Sequence, residues 1–303
     1  MTQVSDCDAF MWHYHHNQFK DVLLAKKILF SLEHAGLKVF PDFKTGWHFD
    51  DKVAQKYLLE AINAPLVPSY VFYDKEEASQ WVKQTTYPKV FKLKGGAGAT
   101  NVKLVKNQKE ALKLVNRAFG KGFAQFDRIN NLKERYKKYK SGQDTLLGVA
   151  KGVGRLVIPT KFSKQQAPEI GYIYFQDFIP NNSFDIRVIV IGEKAFAIKR
   201  MVRTDDFRAS GSGNIIYDHL DINENCLKIA FSIHKIASLQ CTAFDFVYDS
   251  NDEPLIVEIS YGFSVGAYDH CPGYWDNQLV WNEGNFNPQQ WMIEDLISTI
   301  SLK

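Results

Sequence analysis

Val90 to Val102 reads VFKLKGGAGATNV, and what flanks its glycines decides the fold. A P-loop requires Gly, four residues and then Gly-Lys-Ser/Thr, and no Lys follows Gly98. The dinucleotide fingerprint requires a third Gly three residues after its second, where Asn101 stands. Both templates also lead into a helix. Here Asn101-Val102-Lys103-Leu104-Val105 is short and alternating, which predicts a strand. The arrangement is strand, glycine loop, strand. Gly95, Gly96 and Gly98 permit positive φ and close backbone approach, so that free N–H groups can converge on an anion. In the leading strand Lys92 and Lys94 share one face, Phe91 and Leu93 the other. A plain Gly/Ala hairpin with solvated lysines fits the same residues, and the segment by itself leaves both readings open.

The rest of the chain is ordinary globular material. Of 303 residues, 45% are hydrophobic and 23% charged, enough for a large core in one to three lobes. A net charge of only +3 sets aside a whole-molecule basic field for nucleic acid. Residues 121–170 depart from that balance, with eleven Lys or Arg against four Asp or Glu. Lys133, Arg135, Lys137, Lys138 and Lys140 are its densest part, read either as a solvated helix face or as an attractor of a polyanionic substrate. Cys7, Cys226, Cys241 and Cys271 show no paired spacing. With no secretory segment and no apolar run of spanning length, the expectation is a cytoplasmic protein with reduced thiols and no membrane insertion. His13, His15 and His16 lack further ligands at zinc spacing and read as structural or surface residues.

Hydrophobic spacing predicts a helix over 17–35, with Phe19, Val22, Leu23, Lys26, Ile28, Leu29 and Leu32 making its amphipathic pattern, then a strand at 37–41 and a helix over 51–63. Another helix is predicted near 108–118. From Tyr172 the texture turns to strands: 184–191, a turn at Gly192-Glu193-Lys194, and a return over 195–202. A helix near 223–239 follows, then strands at 242–248 and 255–260, and a last helix from Asn287-Pro288 to about Ile300. The predicted domains are a short α/β lobe (1–85), a small lobe with the glycine loop and basic insertion (86–171), and a C-terminal lobe (172–303).

If the turn at Asp249 to Pro254 is symmetric, residues whose numbers sum to 503 lie opposite, which pairs Asp245 with Glu258. Two carboxylates across a ladder among Phe, Ile and Val repel and lose hydration. A divalent cation between them, a slipped register, or an Arg partner for one of them would each resolve the conflict. On the 184–191 strand, Asp185 and Arg187 share a face. The returning strand adds Lys199 and Arg200, with Arg203 and Arg208 beyond. Cations of this kind beside a metal pair and a glycine loop suit phosphoryl chemistry.

In order, FDDK (49–52), VFKLKGGAGATNV (90–102), QDFI (176–179), DIRVIVIG (185–192), AIKRMVRTDDFRAS (197–210) and FDFV with VEIS (244–247, 257–260) resemble the ATP-grasp superfamily. The resemblance is to the branch with the ribosomal-protein glutamate ligases and glutathione synthetases. It implies an α+β ATP-grasp fold with ATP held between the small and C-terminal lobes, and Mg²⁺, one or two ions, as cofactor. Lys52 and Lys92 would contact the ATP phosphates, Gly95, Gly96, Gly98, Asn101 and Lys199 would also bind the nucleotide, Gln176, Asp177, Phe178 and Ile179 would form the hinge segment against adenine, and Asp185 would meet the ribose. Asp245, Glu258 and Ser260 would ligate magnesium, and Arg208 with Arg200 would stabilise the acyl phosphate and tetrahedral intermediate. Ser260 departs from the Asn usual in the family, Ser210 departs likewise, and the residues before Asp51 are fewer than the usual first lobe. The acceptor site is accordingly expected to be open or completed by a second copy.

The resemblance implies a carboxylate–amine ligase that makes an amide through an acyl phosphate. The aromatic tail from Tyr268 through Tyr274, Trp275, Trp281 and Trp291 is similar to tails of ATP-grasp proteins associated with surface polysaccharides. It reads either as a platform for sugar rings, with a sugar-linked amide as product, or as packing for the last helix. A kinase acting on a hydroxyl and a non-catalytic nucleotide-binding protein are the competing functions.

Overall fold

The computed structural model describes residues 2–16, 18–96, 101–124, 132, 135, 136, 139, 145–157, 167–203 and 206–300. Gly98 and most of the basic cluster (Lys133, Lys137, Lys138, Lys140) lie outside the described residues. The chain forms two compact units, one of Met1–Val67 with Ile179–Lys303, the other of Pro68–Phe178.

The first unit opens with β1 (Ala9–Met11), paired in parallel with β2 (Lys38–Phe40) around α1 (Phe19–His34). Ala25, Leu29 and Leu32 recur at helical spacing and are buried with Val39, Tyr14 and Tyr261. Val22 and Leu23, placed on the apolar side by the periodicity, are instead exposed. Gly36, at φ +94°, ends the helix, and Leu37 N–H donates back to Leu32 O at 3.0 Å, a glycine-dependent stop. A helical turn, α2 (Phe43–Gly46), precedes α3 (Lys52–Ala61).

The larger sheet of this unit runs β11 (Pro254–Ser260), β10 (Cys241–Tyr248), β7 (Phe184–Ile191), β8 (Lys194–Met201), β12 (Gly273–Asp276), β13 (Trp281–Glu283), with β9 (Ile215–Ile216) also on β8. Strict alternation sorts its two faces. Ile186, Val188, Val190, Ala195, Ala197, Phe244, Phe246 and Ile256 pack beneath the helix at Glu224–Ile236. Ile189, Ile191, Phe196, Ile198 and Cys241 face the last helix, Pro288–Ser298, on the other side.

The second unit holds β3 (Ser69–Phe72), α4 (Lys75–Gln84), β4 (Lys89–Lys92), β5 (Val102–Val105), α5 (Gln108–Ala118), α6 (Leu146–Val157) and β6 (Ile173–Asp177). Its strands order as β3-β6-β4-β5, all antiparallel. The glycine segment therefore joins two paired strands, β4 and β5, with Lys92 opposite Val102. Phe91, Phe175, Ile173 and Val105 pack against α4 and α5. These units divide the chain differently from the three-lobe expectation. β3 pairs with β6, a hundred residues on, so Pro68 to Gln84 and Ile173 to Phe178 both join the glycine-loop unit. In chain order the last two helices are α7 (Glu224–Ile236) and α8 (Pro288–Ser298).

Candidate functional site

The β10–β11 register sets Asp245 opposite Glu258, Phe244 opposite Ile259 and Ala243 opposite Ser260. A bulge then puts Phe246 opposite Ile256, leaving Val257 as the extra residue. Asp245, Glu258 and Ser260 thus project from one face of the sheet. On its other edge β10 pairs with β7, with Asp245 opposite Arg187. Arg187 closes a fork on Asp245: Nε donates to Oδ1 at 2.5 Å and Nη2 to Oδ2 at 2.7 Å. Arg200, opposite Asp185, donates to it from Nε and Nη2 at 2.7 Å each and lies 3.1 Å from Asp245 Oδ1. Two carboxylates and two guanidiniums neutralise one another in a nearly buried patch. Burial alone would push the Asp245 carboxyl up, but Arg187 and then Arg200 override it and hold it at about 2. Of the alternatives left open for the carboxylate pair, the predicted register and the arginine partner both hold.

Glu258 is the more open carboxylate. Its partner is Lys52, Nζ to Oε2 at 3.7 Å. Lys52 sits there because Asp51 starts α3 at that point, its Oδ1 accepting from Val53 and Ala54 N–H at 3.1 and 3.0 Å. Gln55 fixes the helix to β11: its Oε1 accepts from Ile259 N–H at 3.3 Å, and its Nε2 donates to His48 O at 3.1 Å. Magnesium takes hard oxygen donors. Ionised Asp245, open Glu258 and Ser260 supply them on one face. The Ser260 hydroxyl donates to Gly262 O at 2.8 Å, so its lone pairs stay available. The set fits such an ion, with Glu258 as the accessible ligand and Asp245 sharing its oxygens with Arg187.

Arg208 is in the loop after β8, where Nε and Nη2 bind Asp206 at 2.9 and 2.5 Å, and Arg203 Nη2 donates to Ser210 O at 2.7 Å. The loop is tied by its own arginines. Lys199 does not join the Arg200 patch. It alternates to the opposite face, bonds Asp221 at 2.7 Å and lies 4.5 Å from the centre of the Phe184 ring.

In the second unit the register puts Lys92, Tyr174, Gln176 and Ser69 on one face of the sheet. Lys92 is 4% exposed. Tyr174 Oη donates to Ser69 Oγ at 2.9 Å and Gln176 Nε2 to the same oxygen at 3.1 Å, a polar strip that alternation from a lone Ser69 would not have revealed. Asp177 points the other way, to Lys89 Nζ at 2.5 Å, so Gln176 and Asp177 present their side chains to opposite faces of the sheet. Asp177 N–H also donates to Pro68 O at 2.8 Å, so the two points where the chain passes between units run side by side. Leu93 N–H donates to Asn101 O at 3.2 Å, and Asn101 Nδ2 to Gly95 O at 3.2 Å, closing the base of the glycine segment. Gly96 has φ +107°, and a Cβ there would lie 2.6 Å from Asn101 Nδ2. Lys94 N–H donates to Tyr172 Oη at 2.8 Å, and Tyr172 Oη in turn donates to Glu169.

The tail aromatics are spent on packing. Tyr268, Trp275 and Trp291 are buried, Phe286 stacks on Trp291 at 4.9 Å, and His219 stacks on Trp281 at 4.2 Å. Among the described residues no helix is long and apolar enough to cross a membrane.

A model of the RimK-like ATP-grasp domain matches residues 160–268, and a model of the carbamoyl-phosphate synthase L chain ATP-binding domain matches residues 51–142. The alpha-aminoadipate–LysW ligase LysX of Saccharolobus solfataricus is 22% identical over 265 residues, 88% of this chain and 76% of that one. Among solved structures, the biotin carboxylase domain of the Hydrogenobacter thermophilus 2-oxoglutarate carboxylase superposes with a TM-score of 0.56 at 14% identity, over 96% of this chain and 53% of its own. Campylobacter jejuni biotin carboxylase gives 0.56 at 15%, over 100% and 57%. A RimK-domain ATP-grasp protein from Sphaerobacter thermophilus gives 0.50 at 15%, over 91% and 77%. The chain spans about half the length of the two biotin carboxylase chains. At these identities the structural likeness speaks to fold. Two ATP-grasp family models thus fall on successive segments of the chain, and its α+β fold is similar to that of an ATP-grasp protein over nearly the whole chain.

Proposed function

We propose that the chain is an ATP-dependent carboxylate–amine ligase that forms an amide through an acyl phosphate. The observation that carries the reading is a single sheet face on which Asp245, Glu258 and Ser260 stand beside Arg187, Arg200 and Lys52. A free carboxylate is a poor electrophile, and its phosphorylation demands neutralisation of phosphate charge followed by stabilisation of an oxyanion. Lys52, Lys92 and the N–H groups around Gly95 and Gly96 bind the phosphates. The 176–179 segment receives adenine, with Asp177 turned away to Lys89, and Asp185 meets the ribose. Asp245, Glu258 and Ser260 hold magnesium, which when bound neutralises the phosphate oxygens of ATP. Arg200 and Arg208 stabilise the acyl phosphate and the tetrahedral intermediate. The reading places the reaction in the cytoplasm, where ATP is supplied.

LysX is named as the ligase of alpha-aminoadipate and LysW, which favours an amino acid as one substrate here. The packed tail offers no free aromatic platform for a sugar among the described residues, so a sugar-linked partner becomes one arm of the test. Phosphate release from MgATP is measured with amino acids, L-2-aminoadipate and carboxylated sugars, each paired with a set of amines, and product mass is read in parallel. Phosphate release with a product lighter than its two substrates by one water supports the ligase. ADP with a phosphorylated product supports the kinase instead. ATP binding without turnover in every pairing supports a non-catalytic protein.

A further inference from the structure

The strand that carries Glu258 and Ser260 changes register just before it reaches them. From the turn, β11 pairs Pro254 with Tyr248, Leu255 with Val247 and Ile256 with Phe246. Continued unbroken, that register would set Val257 opposite Asp245 and turn Glu258 and Ser260 to the other face of the sheet. The bulge at Val257 prevents this and brings Glu258 opposite Asp245. The place of both residues therefore depends on what holds the chain past the bulge.

β11 is the edge strand of its sheet. On the turn side of the bulge its outer edge is held by backbone. Ile256 N–H donates to Pro65 O at 2.7 Å, and Ile256 O accepts from Val67 N–H at 3.0 Å. Past the bulge a side chain takes over, as Ile259 N–H donates to Gln55 Oε1 at 3.3 Å. In an unbroken strand, N–H groups three residues apart point to opposite edges, and the bulge is what turns both of these outward. Gln55 is 5% exposed and Ile259 1%. The other end of the same amide works on α3. Gln55 Nε2 donates to His48 O at 3.1 Å, a carbonyl that also accepts from Asp51 N–H at 3.2 Å. Asp51 starts α3, and Lys52 follows it. Lys52 and Gln55, three residues apart, share one face of the helix. One amide thus joins the backbone between Glu258 and Ser260 to the turn that places Lys52, whose Nζ lies 3.7 Å from Glu258 Oε2. Apolar packing of Leu58 and Leu59 holds the far end of α3.

We propose that Gln55 is a positioning residue for the metal and phosphate groups, a role that rests on the reading of Asp245, Glu258 and Ser260 as the magnesium site. It acts through the backbone of Ile259 and His48. The first contact fixes the bulged register, and the second sets Lys52 at its distance from Glu258. Removing a group that orients metal ligands from behind typically weakens metal affinity about 10–100-fold.

The test is Mn²⁺ titrated into the full chain with a non-hydrolysable ATP analogue and followed by electron paramagnetic resonance. Gln55→Met keeps length and burial but removes both hydrogen bonds, and Mn²⁺ affinity is expected to fall about 10–100-fold. Gln55→Asn, one methylene too short to span both partners, is the second variant, with a loss of at least about fivefold expected. Leu58→Ala loosens the same helix by apolar packing alone, so it should lower the urea midpoint yet hold Mn²⁺ affinity within about threefold. Unchanged affinity in the Gln55 variants would overturn the role. So would a loss that Leu58→Ala reproduces at equal stability, because the effect would then be general loosening. Glu258→Gln in the otherwise unaltered chain locates the ion. If it leaves Mn²⁺ affinity untouched, the metal reading itself is overturned and the inference with it.

Discussion

Removing Arg187 tests the charge balance on which the site rests. In Arg187→Met the chain keeps a side chain of similar length but loses both prongs on Asp245, at 2.5 and 2.7 Å. Asp245, with 8% of its side chain exposed, would then hold an ionised carboxylate against only the 3.1 Å contact of Arg200, itself committed to Asp185. Breaking a buried pair by removing one partner costs about 3–5 kcal/mol, and the residual Arg200 contact argues for the low end, about 3. Asp245→Leu, which strands Arg187, should cost about as much. The double variant removes both charges and leaves Arg200 with Asp185, so it should return to within about 1 kcal/mol of the parent. The cycle therefore predicts a coupling of several kcal/mol, read from urea unfolding followed by tryptophan fluorescence. A loss below about 1 kcal/mol in Arg187→Met, or additive losses in the double variant, would refute the reasoning.

Three further outcomes follow from the same structure. His48 and His234 are held at about 4 by burial, against 6.5 for the free ring, so their contribution is complete above pH 6.5 and is lost as pH falls toward 4. In His234→Met, stability measured at pH 7 and pH 5 should fall by up to about 2 kcal/mol less than in the parent, and an unchanged pH slope would contradict this. Gly96→Ala forces a side chain into positive φ and onto Asn101, a strain of about 1–2 kcal/mol that should weaken binding of a non-hydrolysable ATP analogue roughly 5–30-fold by calorimetry. Ser260→Asn exchanges a hydroxyl for an amide oxygen beside Glu258, and Mn²⁺ titrated in the presence of that analogue should bind more tightly by electron paramagnetic resonance. An unchanged affinity would remove Ser260 from the metal site.

Much of this arrangement was legible because alternation and turn length are local. The symmetric count across Asp249 to Pro254 gave the Asp245–Glu258 pairing, and only the bulge at Val257 escaped it. Strand order is not local. That β10 has β7 on its other side, and hence that Arg187 rather than a cation alone answers Asp245, depends on contacts nearly sixty residues apart. The unit boundary escaped for the same reason, because β3 is four residues long and finds its partner β6 a hundred residues later. Lys199 was within reach, since once Arg200 faces Asp185 its neighbour on the strand must face away. The aromatic tail shows the opposite limit. Aromatic composition is identical for a sugar platform and for a core, and only burial separates them.

The central claim is that a carboxylate oxygen becomes the bridging oxygen of an acyl phosphate. The direct measurement is transfer of ¹⁸O: the panel carboxylate is labelled in both oxygens, turned over with MgATP and the amine, and the released phosphate is analysed by mass spectrometry. The account predicts phosphate carrying one ¹⁸O per amide formed, and an amide that retains the other. Unlabelled phosphate, or a phosphoryl group retained on the product, would contradict it.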